Sequence, residues 1–90
     1  MHIKFSPFVN KQLSKIKQKD RKLADRIEKQ LTLFTSNSKH PSLRLHKIDH
    51  SNKDIWSISI TMGIRMLYTI IEEDTAYFFD IGNHEEVYRK

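Results

Sequence analysis

The stretch Arg65-Met-Leu-Tyr68-Thr-Ile-Ile71, Glu72-Glu-Asp-Thr-Ala-Tyr-Phe-Phe79, Asp80-Ile-Gly-Asn-His84-Glu-Glu-Val-Tyr88-Arg89-Lys90 decides the fold. Two runs rich in β-branched and aromatic residues are separated by the acidic cluster Glu72-Glu73-Asp74. Such runs, bounded by a polar turn, predict a β-hairpin. Gly82 marks the exit from the second strand into a polar tail. Setting Ile71 opposite Ala76 brings Arg65 opposite Gly82, two residues from His84. A guanidinium in one strand and an imidazole just past its partner are therefore expected side by side at a sheet end, with Tyr88 four residues beyond His84.

Outward from this hairpin, Asp54-Ile-Trp-Ser-Ile-Ser-Ile60 alternates as a strand does, with Trp56, Ile58 and Ile60 on one face and Ser57 and Ser59 on the other. Thr61-Met-Gly63 is a turn. Leu43-Arg-Leu-His-Lys-Ile48 also alternates, which predicts a strand with Arg44 and His46 on a shared face, followed by a polar loop over 49–53. Short connections favour an antiparallel meander.

Toward the N-terminus, His2-Ile-Lys-Phe5 reads as a short strand, and Ser6-Pro7 starts a helix with a hydroxyl cap and a first-turn proline. Val9, Leu13 and Ile16 form its apolar stripe, over about 7–17. Asp20 caps a second helix striped by Leu23, Ile27, Leu31 and Phe34, ending near Thr35-Ser-Asn-Ser38. The predicted class is α+β in the order β-α-α-β-β-β-β, a helical hairpin packed on one face of a mainly antiparallel sheet. The other face is left to carry a site. Residues 1–90 are expected to form one domain.

Composition narrows the function. The 90-residue chain carries a net charge of +5 and no cysteine, so disulfides and thiolate chemistry are excluded. Residues 1–39 hold ten Lys/Arg against three Asp/Glu, net +7, while 40–90 hold six against eight, net −2. The basic half is a solvated helical surface or a face for a polyanion or acidic partner. No apolar run suggests a signal peptide or membrane span, so no membrane partner and a cytoplasmic location are expected. The five histidines follow no standard zinc spacing, so neither metal nor cofactor is expected.

Arg65 is either a stacked, solvent-facing arginine or a guanidinium that binds phosphate bidentately and stabilises developing charge. His84 either closes a turn or transfers a proton near neutral pH. Tyr88 either anchors the C-terminus or orients an RNA substrate by hydrogen bond or stacking. His46 is a second proton-transfer candidate. Arg44, Lys47, His50 and Arg89 are candidates for substrate binding. Asp54 and Asp80 are read as orienting a cation or closing a turn, and Trp56 as core.

Leu43-Arg-Leu-His46, Trp56-Ser-Ile-Ser-Ile60, Arg65-Met-Leu-Tyr68 and Gly82-Asn-His-Glu-Glu-Val-Tyr88 together resemble the RelE/ParE-type toxins of bacterial type II toxin–antitoxin systems. The branch resembled ends in Gly-Thr-His-Asp-Glu-Val-Tyr; Asn83 stands here in place of the threonine. The likeness covers the whole chain and is most specific in the last motif. It implies a ribosome-dependent mRNA endoribonuclease that inhibits translation and is neutralised by a cognate antitoxin in a hetero-oligomer. Its chemistry would be metal-free: the RNA 2′-OH attacks the adjacent phosphate and the 5′-oxygen leaves. Arg65 would hold the phosphate, His84 would act as general acid and Tyr88 would orient the substrate. His46, His50 and Lys47 compete for the second catalytic role. The alternative is a ParE-like toxin that binds DNA gyrase and cuts nothing, because one fold serves both.

Overall fold

The computed structural model describes residues 1–50 and 53–88, and the side chains of all of these except Asp49, His50, Lys53 and Tyr88. Strand β1 (His2–Phe5) leads into helices α1 (Pro7–Lys19) and α2 (Arg21–Ser36). A 3-10 turn (Pro41–Leu43) precedes strands β2 (His46–His50), β3 (Lys53–Ser59), β4 (Ile64–Glu72) and β5 (Thr75–Asn83), and helix α3 (His84–Tyr88) follows. The sheet order is β1-β5-β4-β3-β2. The last four strands form the antiparallel meander, and β1 closes the far edge parallel to β5. This is the expected α+β arrangement.

The helices start where their caps dictate. The Ser6 hydroxyl accepts from the Val9 amide at 3.1 Å, with Pro7 in the first turn. Asp20 serves both helices: its amide donates to the Ile16 carbonyl at 2.8 Å and its carboxylate accepts from the Leu23 amide at 3.1 Å. One residue thus satisfies the end of α1 and the start of α2, which makes the hairpin tight. Its apolar stripes cover one sheet face. Phe34 is fully buried, edge-on to Tyr68 at 5.0 Å and to Phe78 at 5.4 Å between ring centroids. Gln30, at 1% exposure, donates to the Ser59 carbonyl at 2.9 Å and to the Ser42 carbonyl at 3.3 Å. It ties α2 to β3 and to the 3-10 turn, a role its place beside the stripe does not reveal. Among the described residues no helix is long and apolar enough to cross a membrane.

Burial in this core pushes the Tyr68 phenol from 10.0 up to about 12. The unfolded chain therefore loses that proton first, and the stability this group contributes is fully present below pH 10 and lost as pH rises toward 12. The slope is about 1.4 kcal/mol per pH unit across that window. Tyr68→Phe should flatten the fall in the urea midpoint between pH 10 and 12. An unchanged slope would mean that other groups set the alkaline limit.

Three expectations are corrected. Residues 43–48 are not one strand: Leu43 turns fully into the core through the 3-10 turn, Arg44 takes a left-handed conformation (φ 45°, ψ 51°), and β2 starts only at His46. Pro41 fixes the first turn position and the His40 ring nitrogen accepts from the Ser42 amide at 3.1 Å, so local capping overrides the alternating pattern. The loop expected over 49–53 shrinks, because β2 runs to His50 and β3 begins at Lys53. Within the polar tail His84–Tyr88 form a helix, and Gly82 lies inside β5 rather than at its exit. A Cβ on Gly82 would stand 3.2 Å from Glu86 Cβ, so the glycine is what lets α3 fold back over the strand.

The register is the expected one where it matters. Arg65 pairs with Gly82. Ala76 stands opposite Ile70 rather than Ile71, and an irregularity between Leu67 and Tyr68 restores the offset. On the face away from the hairpin, Ile48, Leu67 and Val87 form a second small apolar cluster under α3.

Candidate active site

Strand alternation decides which residues share the face under α3. Arg65 and Leu67 of β4 lie on it with Ser57 and Ser59 of β3 and His46 and Ile48 of β2, since Ser59 pairs with Arg65, and Ser57 with both Leu67 and His46. Arg65 is held firmly. Its Nε donates to the Ser57 hydroxyl at 2.9 Å, and its Nη2 donates to the Arg44 carbonyl at 2.8 Å and the Ser57 carbonyl at 3.5 Å. The side-on edge of the guanidinium is thus occupied by the protein. Among the described residues Nη1 is the nitrogen outside these bonds.

His84 is set by α3. Asn83 Oδ1 accepts from the Glu86 amide at 2.8 Å, while Glu86 Oε1 accepts from the Asn83 amide at 3.1 Å. This reciprocal pair is a capping box, with His84 as the first helical residue. The signal is in the sequence as Asn83-x-x-Glu86, and reading 82–90 as a tail overlooks it. It also explains why asparagine stands in for threonine, as both cap helices well. Asn83→Ala should cost about 1 kcal/mol of stability. A urea titration in which the alanine variant matches the parent would mean that the box has no energetic weight.

Arg44, Leu45, His46, Arg65 and His84 line one open cleft of ≈ 340 Å³. Two imidazoles and two guanidinium groups therefore meet at a single concave spot on the sheet. Arg44 arrives there through its left-handed turn and not as a strand neighbour of His46, which corrects the shared strand face. Lys47 does not join them. It pairs across β2–β3 with Trp56, its Nζ stands 5.6 Å from that ring's centroid, and it bonds Asp54 at 3.1 Å, all on the other face from His46. His50 ends β2 and Tyr88 ends α3, but their side chains lie outside the described residues, as does Arg89 entirely. Trp56 packs against the main core, as expected. Asp80 is buried, and its carboxylate accepts from the Ile81 amide at 2.9 Å. Among the described residues no three His, Asp or Glu side chains converge as a metal centre requires.

Comparison with known proteins sets this cleft in a family. Solved structures share the fold at low identity. A YoeB/ParE toxin from Agrobacterium tumefaciens superposes with a TM-score of 0.78 at 12% identity, over 93% of this chain and 99% of that one. The YoeB–YefM complex from Staphylococcus aureus gives 0.76 at 19% identity, over 93% and 97%. YafQ from E. coli gives 0.68 at 16% identity, over 96% of each chain. Among curated proteins no sequence matches the chain. The family model described as the ParE toxin of type II toxin–antitoxin systems matches residues 3–88, nearly the whole sequence. The chain thus belongs to the ParE toxin family and is a RelE/ParE-type toxin of a type II toxin–antitoxin system.

Proposed function

We propose that this toxin is a ribosome-dependent endoribonuclease that cuts mRNA. The observation that carries the reading is the meeting of His46, His84, Arg44 and a braced Arg65 in one cleft. Their chemistry fits phosphodiester transesterification. An imidazole, His46 by position, takes the proton from the RNA 2′-OH as its oxygen bonds to the adjacent phosphorus. The bond from phosphorus to the 5′-oxygen breaks, and His84 supplies that oxygen's proton. Charge gathering on the phosphoryl oxygens is met by Arg65 Nη1. The products are a 2′,3′-cyclic phosphate and a 5′-hydroxyl. Arg44 offers a cation to a neighbouring phosphate, and Tyr88, at the end of α3, is assigned to orient the substrate. Lys47 has no part in this scheme. The test is single-turnover cleavage of ribosome-bound message by the purified toxin.

The family match equally suits a toxin that blocks DNA gyrase by binding alone. Two imidazoles beside an anchored arginine favour the nuclease, because a binder has no use for proton transfer. A parent protein that never cuts message but stops gyrase supercoiling would make the second reading correct.

The partner is a cognate antitoxin, and complexes such as YoeB–YefM and DinJ–YafQ support a hetero-oligomer. A groove of ≈ 500 Å³ between β1 and the hairpin, floored by Ile3, Phe5 and Leu13 and edged by Lys17, Arg21, Asp25 and Glu28, suits an amphipathic segment that carries charges of both signs. Co-expression with the product of the adjacent reading frame should yield a complex at low salt. Leu13→Glu, at a partly exposed position of the groove, should weaken it at least tenfold, and retention of full affinity would exclude this groove as the seat.

A further inference from the structure

The brace on Arg65 holds more than the nuclease reading on which this inference rests. Ser57 is fully buried in the middle of β3, flanked by His46 on β2 and Leu67 on β4. A buried hydroxyl is unfavourable in a sheet unless it is bonded, and Ser57 Oγ takes the Arg65 Nε–H at 2.9 Å. The second support has its own peculiarity. Arg44 is the one non-glycine residue at positive φ among the described residues. That conformation is unfavourable for any residue with a Cβ, and such strain tends to gather at functional sites. Here it accompanies a 2.8 Å bond from Arg65 Nη2 to the Arg44 carbonyl. Two acceptors from separate elements therefore fix the plane of a guanidinium on a third.

We propose that Ser57 is a positioning residue for Arg65: its buried hydroxyl, with the left-handed Arg44 carbonyl, holds the guanidinium in the orientation that presents Nη1 to a phosphate in the cleft. Ser57 itself touches no substrate, since it has no exposed surface. A serine of this kind leaves no mark in sequence, where it is one of two alternating serines of β3.

Two measurements test it. In ¹⁵N-labelled protein, the Arg65 Nε–H should exchange slowly with water, and Ser57→Ala should abolish that protection. Fast exchange in the parent, or protection that survives in Ser57→Ala, overturns the proposal whether or not the toxin is a nuclease. The second measurement is a double-mutant cycle on single-turnover cleavage. Ser57→Ala should slow cutting roughly 10–100-fold with little change in the half-saturating ribosome concentration. In the Arg65→Ala background it should change the rate by less than about threefold, because the residue it positions is gone. Additive losses would mean that Ser57 acts on the fold at large, and the proposal fails. Where the alanine variant does not fold, Ser57→Cys, similar in size but a weak acceptor, should behave in the same way. A parent that does not cut removes the nuclease reading, while the exchange measurement still decides the role of Ser57.

Discussion

His84→Ala and Arg65→Ala should each cripple cleavage of ribosome-bound message, but for separable reasons. Loss of the imidazole should slow the single-turnover rate by roughly 10²–10⁴-fold, as removal of a general acid does. Loss of the guanidinium should remove about 2–4 kcal/mol of transition-state stabilisation, as removal of a charge-stabilising donor does. The variants should part on stability. His84 is exposed at the start of α3, so its truncation should lower the melting temperature less than truncation of Arg65 does. Arg65→Ala removes the bonds that the guanidinium donates to the buried Ser57 hydroxyl and to the Arg44 carbonyl. Hydrogen bonds to a charged group contribute about 1.5–3 kcal/mol each, so this variant should melt several degrees lower. Arg65→Lys restores a charge but cannot reproduce the two-sided brace, so it should rescue only in part. If both alanine variants cut as fast as the parent, the assignment of these residues is wrong. If Arg65→Ala melts like the parent, the brace has no energetic weight.

Phe34→Ala should be the most damaging change to the fold. Phe34 is fully buried, and its ring meets Tyr68 and Phe78 edge-on, at interplanar angles of 68° and 73°. It is the point at which α2 docks on the centre of the sheet. Truncation removes the transfer free energy of the ring, opens a cavity and forfeits the aromatic contacts, about 3–5 kcal/mol together. Domains of this size are stable by about 5–15 kcal/mol, so the loss could approach the whole margin. At about 4–8 °C per kcal/mol, the melting temperature should drop by at least about 12 °C. Phe34→Leu, which keeps most of the volume, should lose much less. A urea titration showing under about 1 kcal/mol for the alanine variant would mean that the hairpin is anchored elsewhere.

The order of the five strands and the first two helices, the caps at Ser6 and Asp20 and the pairing of Arg65 with Gly82 were legible in the sequence. Each depends on local chemistry: an oxygen two or three residues before an amide, a period of 2 or 3.6, a turn of fixed length. Alternation by itself also separates His46 from Lys47, since neighbours on a strand face opposite sides, and that rule alone is enough to set Lys47 apart from the cleft. The capping box of α3 was legible too, as asparagine three residues before glutamate.

What only the tertiary structure decided concerns groups whose partners lie far along the chain. Arg44 looked like a strand residue and is a left-handed turn: Pro41 and His40 start the 3-10 turn locally, and burial of Leu43 in the core fixes it there. Ser57 looked like any outward serine and supports a guanidinium eight residues on, while Gln30 crosses from α2 to β3. Hydrogen bonds of this kind leave no period in a sequence. They depend on distances that exist only after the sheet has set its register and the helices have closed one of its faces.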